Sequence, residues 1–430
     1  MDVYIIDPNI IKVFEVYEID VDVLMFPIIL KKILLNHIKI SGFKSSMEIN
    51  PELKTTNLDF ILEAFSNSKP KEKTKQGSWE ISASDLRIQE SSYTLHIYNV
   101  LKLQAEIGDL KLQNNNMDLK RLDFNISEIN LSKTNVHLQL FKDSLKIPSE
   151  NKDPAKPKKN INITSKLNQI QISNSNITLK IDGLLDLSAS IPEFKGRKLE
   201  FDLSDHFIRA TELALISTKT EIAYQEPVYL TDTNNVNAGA TIQTNPGNSE
   251  LFIKNFGWDI GSGQTTLKDC DFKFDNLSVP DSLHTINGDH FHLKDIHVSL
   301  EDALIAKDQF NVNVERSEFL MGNGFRLREL NGKLKYEKDN LSLQDLFLNT
   351  ENSKLFADIN VSGILNEPAL DHPEQVAINI NELEIDIGAD DLDFFRKSNI
   401  LKETQIKTAQ LKARISGPLN DLHFEKVEVN

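Results

Sequence analysis

Along most of the chain, apolar and polar residues alternate one for one. Leu101, Leu103, Ala105 and Ile107 are interleaved with Lys102, Gln104 and Glu106; Leu122, Phe124 and Ile126 with Asp123 and Asn125; Val136, Leu138 and Leu140 with His137 and Gln139. The pattern recurs at Ile170 and Ile172, at Ile177, Leu179 and Ile181, at Leu199, Phe201 and Leu203, and at Phe310, Val312 and Val314. It continues at Phe325 and Leu327, Leu341 and Leu343, and Ile378 and Ile380. A spacing of two puts the apolar side chains of a strand on one face and the polar ones on the other. Strands covered on both faces, as in a parallel α/β sheet, would read as unbroken apolar runs instead. Polar turns are expected at Asn114–Asn116, Ser173–Asn176 and Glu337–Asn340, because Asn, Asp and Ser supply turn conformations. Strand and turn recur every 10 to 14 residues or so, which fits antiparallel hairpins or a meander.

Helical spacing is sparse. Phe26–Leu35 reads as a short helix with Pro27 in its first turn, and Leu58–Phe65 as another, capped by Thr55, Thr56 or Asn57. Asp390–Lys397 is a third, with acids at its start and Arg396 and Lys397 at its end, as the helix dipole favours. Phe60, Phe65, Phe394 and Phe395 read as staples that hold such helices on a sheet. Asn67–Ser78 and Ser149–Asn160, rich in Lys and Pro, read as loops, and Tyr229–Asn248, rich in Thr and Asn, as a third. The expected organisation is a strand-helix-strand start over 1–66, a linker at 67–78, repetitive β-sheet over 79–148, and a second linker at 149–160. The same sheet continues over 161–430, with a short helix near 390–397.

Composition narrows the class. The single Cys270 excludes a disulfide scaffold. No apolar run approaches the ~18 residues of a membrane helix. With 48 Lys and Arg against 64 Asp and Glu, the net charge of −16 argues against a nucleic-acid partner. Met1–Pro8 lacks the basic region and apolar core of a signal peptide, so the chain taken literally is cytoplasmic.

Candidate chemistry is thin. His284, His290, His292 and His297 lie near Asp281, Asp289 and Asp295, and a one-residue spacing can ligate zinc, but the alternation reads them as polar-face strand residues. Gly261–Thr266 lacks the Lys and the following helix of a phosphate loop. Asp269 and Asp271 flank Cys270 and disfavour its thiolate. No Gly-x-Ser-x-Gly or Ser/His/Asp set stands out. The expectation is a protein without catalysis, metal or cofactor.

Roughly twenty one-sided strands with few helices leave a physical problem: something must cover the apolar face. The sheet either folds on itself and buries that face dry, or curls into a trough whose lining takes an apolar ligand. Periodicity does not choose between them. The aliphatic lining, almost free of Trp, suits acyl chains.

Several segments, taken in order, resemble the AsmA/TamB superfamily, specifically the TamB-like translocation and assembly module proteins of Bacteroidetes type. Val13–Val23 is similar to the family's first strand, and Ile28–Gly42 to its short helix and next strand. Leu58–Phe65 resembles the helix before a Lys-rich linker, and Trp79–Ile88 the strand that resumes after it. Asp391–Phe395 followed by Ala413–Leu422 resembles a recurring helix-then-strand unit. The resemblance implies an all-β chain with a few short helices: an elongated, curled sheet forming a taco-like hydrophobic groove in the cell envelope. It implies phospholipid acyl chains as ligand, intermembrane lipid transport and outer-membrane biogenesis as function, and an outer-membrane assembly protein as partner. It also implies periplasmic location with an inner-membrane helix upstream of this N-terminal or internal portion. The groove lining would be the eighteen residues Leu101, Leu103, Ile107, Leu122, Phe124, Ile126, Val136, Leu138, Leu140, Ile177, Leu179, Ile181, Leu199, Phe201, Leu203, Phe310, Val312 and Val314. The competing expectation is a closed β scaffold or a chaperone-like module that binds proteins through its polar face or its free sheet ends.

Overall fold

The structure is a computed structural model that describes residues 3–6, 12–24, 32–51, 55–57, 59, 80–118, 123–141, 164–202, 205–225, 257–280, 288–306, 309–337, 339–363, 373–391 and 408–429. Regular structure among them is almost wholly β, as the alternation requires: 23 strands and one 3₁₀ turn, Pro373–Gln375. The chain forms two compact units, Met1–Ala223 with Lys268–Lys273, and Tyr224–Leu267 with Phe274–Asn430.

The first unit contains β1 (Val3–Ile6), β2 (Lys12–Val16), β3 (Glu18–Leu24), β4 (Lys32–Ser41), β5 (Lys44–Asn50), β6 (Thr55–Thr56), β7 (Glu80–Ile97) and β8 (Leu101–Asp118). It continues with β9 (Asp123–Ser132), β10 (Asn135–Leu140), β11 (Thr164–Ile181), β12 (Leu185–Asp202), β13 (Phe207–Ile216), most of β14 (Lys219–Tyr224) and the middle of β15 (Asp259–Asn276). Several short strands are two limbs of one ribbon. Thus β9 and β10 both pair with β8 and with β11, and β4 and β5 both pair with β7.

Within a run of three ribbons the pairing is antiparallel: β7 with β8 and β8 with β9/β10, then β11 with β12 and β12 with β13. Between runs it is parallel, β4/β5 with β7 and β9/β10 with β11. Parallel neighbours need a return connection of about a dozen residues or more. The connections here are 57–79 and 141–163, which contain the Lys- and Pro-rich segments 67–78 and 149–160. Both segments, like 229–248, lie outside the described residues. The meander expected from the alternation therefore holds inside each run, and the long linkers fall where it cannot.

The ribbons of this unit share a crease level, and β12 carries a further left-handed residue at Lys198 (φ 47°), opposite Asn168. Gly42 (φ 64°), Glu90 (φ 47°), Lys133 (φ 53°), Asn174 (φ 48°), Ser217 (φ 53°) and Asp269 (φ 54°) are in the left-handed region, and none is β-branched. Gly108 and Pro192 take the same level in β8 and β12: Ser91 pairs with Ile107 and Gln89 with Asp109, while Ser175 pairs with Ile191 and Ser173 with Glu193. The crease inserts one residue into the period of two. In β7 the apolar positions run 86, 88, then 93, 95, 97; in β11 they run 170, 172, then 177, 179, 181. Because every neighbour carries the same insertion, the register does not slip. The same face stays apolar on both limbs.

Small side chains follow the left-handed residues and are buried: Ser91, Thr134, Ser175, Thr218 and Cys270. The hydroxyls of Ser91, Thr134 and Ser175 donate to the carbonyls of Gln89 (2.8 Å), Ser132 (3.3 Å) and Ser173 (2.9 Å). Backbone bonds cross the seam from ribbon to ribbon, Gly42 N–H to Gln89 O, Gly108 N–H to Lys133 O, Lys133 N–H to Ser173 O and Ser217 N–H to Lys268 O. The positions Glu90, Gly108 and Lys133 recur as Asn174, Pro192 and Ser217, each 84 residues on. The two three-ribbon runs are thus an internal repeat, in which Leu95-His96-Ile97 corresponds to Leu179-Lys180-Ile181 and Leu103-Gln104-Ala105-Glu106-Ile107 to Leu187-Ser188-Ala189-Ser190-Ile191.

The second unit is an antiparallel meander of β16 (His290–Ala306), β17 (Gln309–Met321), β18 (Arg326–Glu337), β19 (Asn340–Asn349), β20 (Lys354–Ser362), β21 (Ala377–Ile387), β22 (Ala409–Pro418) and β23 (His423–Val429). Its kinks are bulges that shift the register by one, as at Asp345 (φ 52°) between Leu343 and Leu346. The small residues Ala357 and Ala413 are buried at this level, on either side of Leu383.

Three local expectations are corrected. Lys32–Leu35, the end of the expected helix Phe26–Leu35, is strand, because β4 is held between β3 and β7; 26–31 are outside the described residues. Asn114–Asn116 is not a turn but part of β8, where the register shifts against β9. Ser173–Asn176 does not separate two strands; it is the crease of the continuous β11. Glu337 pairs with Asn340 across the expected turn, of which Lys338 lies outside the described residues. Of the other two helices only Asp59 and Ala389–Asp391 are described, and they are helical.

The crease makes a stability prediction. A Cβ on Gly108 would stand 2.6 Å from Lys133 Cβ and 2.7 Å from Lys133 O, so Gly108→Ala is expected to cost about 1–3 kcal/mol. Asn174→Val should cost about 1–2 kcal/mol and Asn174→Gly should not destabilise. Urea unfolding midpoints of the three variants measure the order.

Candidate apolar binding face

The creased register lines apolar side chains up across strands. On one limb Met47, Leu95, Leu103, Leu138, Leu179 and Leu187 are successive partners. Ile49, Ile97, Leu101, Leu140, Ile181 and Leu185 form the next row, and Tyr93, Ala105, Val136, Ile177 and Ala189 another. On the other limb Ile19, Ile40, Ile88, Leu110, Leu131, Ile172, Phe194 and Leu215 run unbroken, beside Val21, Ile38, Leu86, Leu112, Ile129, Ile170, Gly196 and Leu213. At about 4.8 Å between strands, the eight-residue row is roughly 34 Å long. Most residues of these rows are half-buried, while Ile177 is 37% exposed, Val21 40% and Ile19 56%.

The expected lining residues are distributed over these rows. Leu103, Leu138 and Leu179 fall in one; Leu101, Leu140 and Ile181 in the next; Val136 and Ile177 in the third; and Ile107 sits at the crease opposite Ser91. Ile126 and Leu199 are both partners of Leu167, and Phe124 and Phe201 take the register positions beside Ser165. Leu122 and Leu203 lie outside the described residues. Phe310, Val312 and Val314 belong to the second unit, where Val312, Leu334, Leu343, Ile359, Ile380, Ile415 and Phe424 form a comparable row. The second limb's rows and the crease itself were not expected. Their signal is the change from even to odd apolar positions between Ile88 and Tyr93 and between Ile172 and Ile177.

Among the described residues the face is predominantly hydrocarbon, with Tyr93 carrying a hydroxyl in one row. The crease hydroxyls of Ser91, Thr134 and Ser175 spend their protons on backbone carbonyls. Cys270 is a buried free thiol whose Sγ points at Lys268 O (3.4 Å) and Leu215 O (3.5 Å). His290 Nε2 donates to Val279 O (2.7 Å) and its Nδ1 is 3.4 Å from Asp275 Oδ1. Among the described residues no three His, Cys, Asp or Glu side chains are grouped to hold a metal ion. A pocket of about 320 Å³ in the second unit is lined by Phe347, Phe356, Glu384, Lys412 and Glu428 among others. Its ammonium is already engaged: Lys412 Nζ donates to Glu384 (2.6 Å), and that bond raises the Lys412 pKa.

The opposite face is charged. Arg87 Nε and Nη2 donate to the two oxygens of Asp109 at 2.9 Å each, with Arg87 on β7 and Asp109 on β8. The Arg87 hydrogen bond holds the Asp109 carboxyl below its ordinary pKa, and Arg87 is raised in return. Lys166–Glu200 (3.3 Å) and Arg197–Glu212 (3.2 Å) cross strands on the same unit. Comparison of the chain with family models, with curated proteins and with solved structures gives no match.

Because Asp109 titrates lower when folded, its pair stabilises above the ordinary carboxylate pKa near 4 and loses that contribution as pH falls through the depressed folded value. Arg87→Gln is expected to lose less than about 1 kcal/mol at pH 7, both side chains being partly exposed. Urea midpoints of the two proteins should converge as the pH is taken below the depressed Asp109 value.

Proposed function

We propose that the apolar face of the creased sheet binds the acyl chains of phospholipids, and that the protein serves lipid transport between membranes and outer-membrane biogenesis in the cell envelope without catalysis. One observation carries this reading: the aliphatic rows run unbroken from strand to strand on both limbs of the crease and are left half-buried by the chain itself. Each methylene taken from water onto such a surface is worth about 0.8 kcal/mol, so a chain of a dozen or more is held firmly. The attraction has no preferred direction, so a bound chain slides along a row without breaking a specific bond. A 34 Å row exceeds the ~30 Å hydrocarbon thickness that holds two acyl chains end to end in a bilayer. The charged face keeps the other side of the sheet in water. The family resemblance of the opening strands, the Lys-rich linker and the C-terminal segments supports the same reading.

Mass spectrometry of protein purified under mild extraction is expected to find phospholipid, and finding none removes the reading. Leu103→Asp, Leu138→Asp or Leu179→Asp should each interrupt one row and reduce fluorescent phospholipid transfer between vesicles by about tenfold, since a carboxylate on that face costs more than one kcal/mol. Unchanged transfer by all three, with expression preserved, is the opposing result.

A further inference from the structure

We propose that the polar face of β16–β18 holds a binding pocket for a phosphate monoester, built from Arg316, Arg326, Arg328 and Lys294. The pocket, about 280 Å³, is lined by Arg316 and Glu318 of β17, Arg326 and Arg328 of β18 and Asp295 of β16, with Leu320 in its apolar wall. That size is near the ~300 Å³ at which small-ligand sites begin. Register explains why the cations meet. Leu320 is the partner of Lys294 on one side and of Arg326 on the other, and partners across strands share a face. The next pair, Leu293 with Met321, alternates to the apolar face. The register of β17 against β18 shifts between Val314 and Ser317 and again between Ser317 and Phe319. Such shifts bend a strand and re-aim its side chains, and here they bring Arg316 and Arg328 to the pocket of Arg326.

Charge selects the ligand. Lys294, Arg316, Arg326 and Arg328 stand against Asp295 and Glu318, whereas the whole chain has 64 acids to 48 bases. Arg316 Nη2 donates to Glu318 at 2.6 Å and Arg328 Nη2 to Glu351 at 2.8 Å. Both pairs are exposed, and such pairs add little stability. Each guanidinium has five N–H donors and spends one of them there. Arg326 and Lys294 pair with no carboxylate among the described residues. A guanidinium fork grips two oxygens of one phosphate, and several forks with an ammonium suit a dianion better than a singly charged carboxylate. Leu320, set between Lys294 and Arg326, meets the carbon of an ester. The pocket stands on the polar face, so it does not depend on the acyl-chain reading. Its phosphate belongs to a lipid headgroup or to a small soluble ester.

The test is equilibrium dialysis of the full chain with radiolabelled glycerol 3-phosphate, which has no acyl chain, in low salt. One equivalent is expected to bind, and Arg326→Gln should weaken it about tenfold, the loss of one charge-assisted contact. Arg316→Gln, Arg326→Gln and Arg328→Gln combined should abolish binding while the urea midpoint stays near that of the native chain. Lys166→Gln with Arg197→Gln removes two exposed cations of the first unit and should leave binding unchanged. No binding by the native chain, no effect of Arg326→Gln, or an equal loss in the Lys166/Arg197 variant overturns the proposal. Fluorescent phosphatidic acid and phosphatidylcholine identify the source of the phosphate. Arg326→Gln weakens the first about tenfold and spares the second if a lipid headgroup is bound, and spares both if the ester is soluble; either result, with glycerol 3-phosphate bound, upholds the pocket. Glycerol 3-phosphate binding by a protein that carries no phospholipid removes the acyl-chain reading and leaves this one, and the converse result does the reverse.

Discussion

An extra residue inserted in neighbouring ribbons at a shared level is what the first unit depends on. A strand that bends normally either breaks its ladder or turns its apolar side chains to the wrong face, because the side-chain period is two. Here most ribbons take a left-handed residue, or Gly108 or Pro192, at the same height, so partners on either side of the crease stay in register. The conformation costs steric energy at each non-glycine site. It is offset by the seam of backbone bonds and by hydroxyls that satisfy the carbonyls left at the bend. At that level the small Ser91 and Ser175 stand opposite Ile107 and Ile191, and the close approach of Gly108 to Lys133 leaves no room for a Cβ there.

The same constraint gives the molecule a surface with two characters. One face carries predominantly aliphatic rows; the other carries cross-strand ion pairs such as Arg87 with Asp109. Exposed pairs of that kind add little stability. Their use is to keep one side of the sheet wet and to fix which strand lies beside which. The second unit reaches a similar row from Val312 to Phe424 by a different route, with register-shifting bulges in an all-antiparallel meander. Apolar rows survive both solutions, which ties the acyl-chain reading to the face rather than to one topology.

The alternation of apolar and polar residues already determined that this is a β protein with one-sided strands, because a period of two has only one local solution. It also marked where the chain could not continue as a meander: the Lys- and Pro-rich segments lie at the parallel joins. Alternation did not determine strand length. Ile170–Ile172 and Ile177–Ile181 read as two strands with a turn between them, since Ser and Asn at 173–176 favour a turn locally. Only pairing with β9, β10 and β12 on both sides holds those residues as a crease within one strand. Phe26–Leu35 carries apolar spacing that suits a helix, yet Lys32–Leu35 is strand because β3 and β7 supply ladder partners that no local sequence encodes. Which side chains share a row is likewise a matter of register between residues dozens of positions apart, which pairing alone sets.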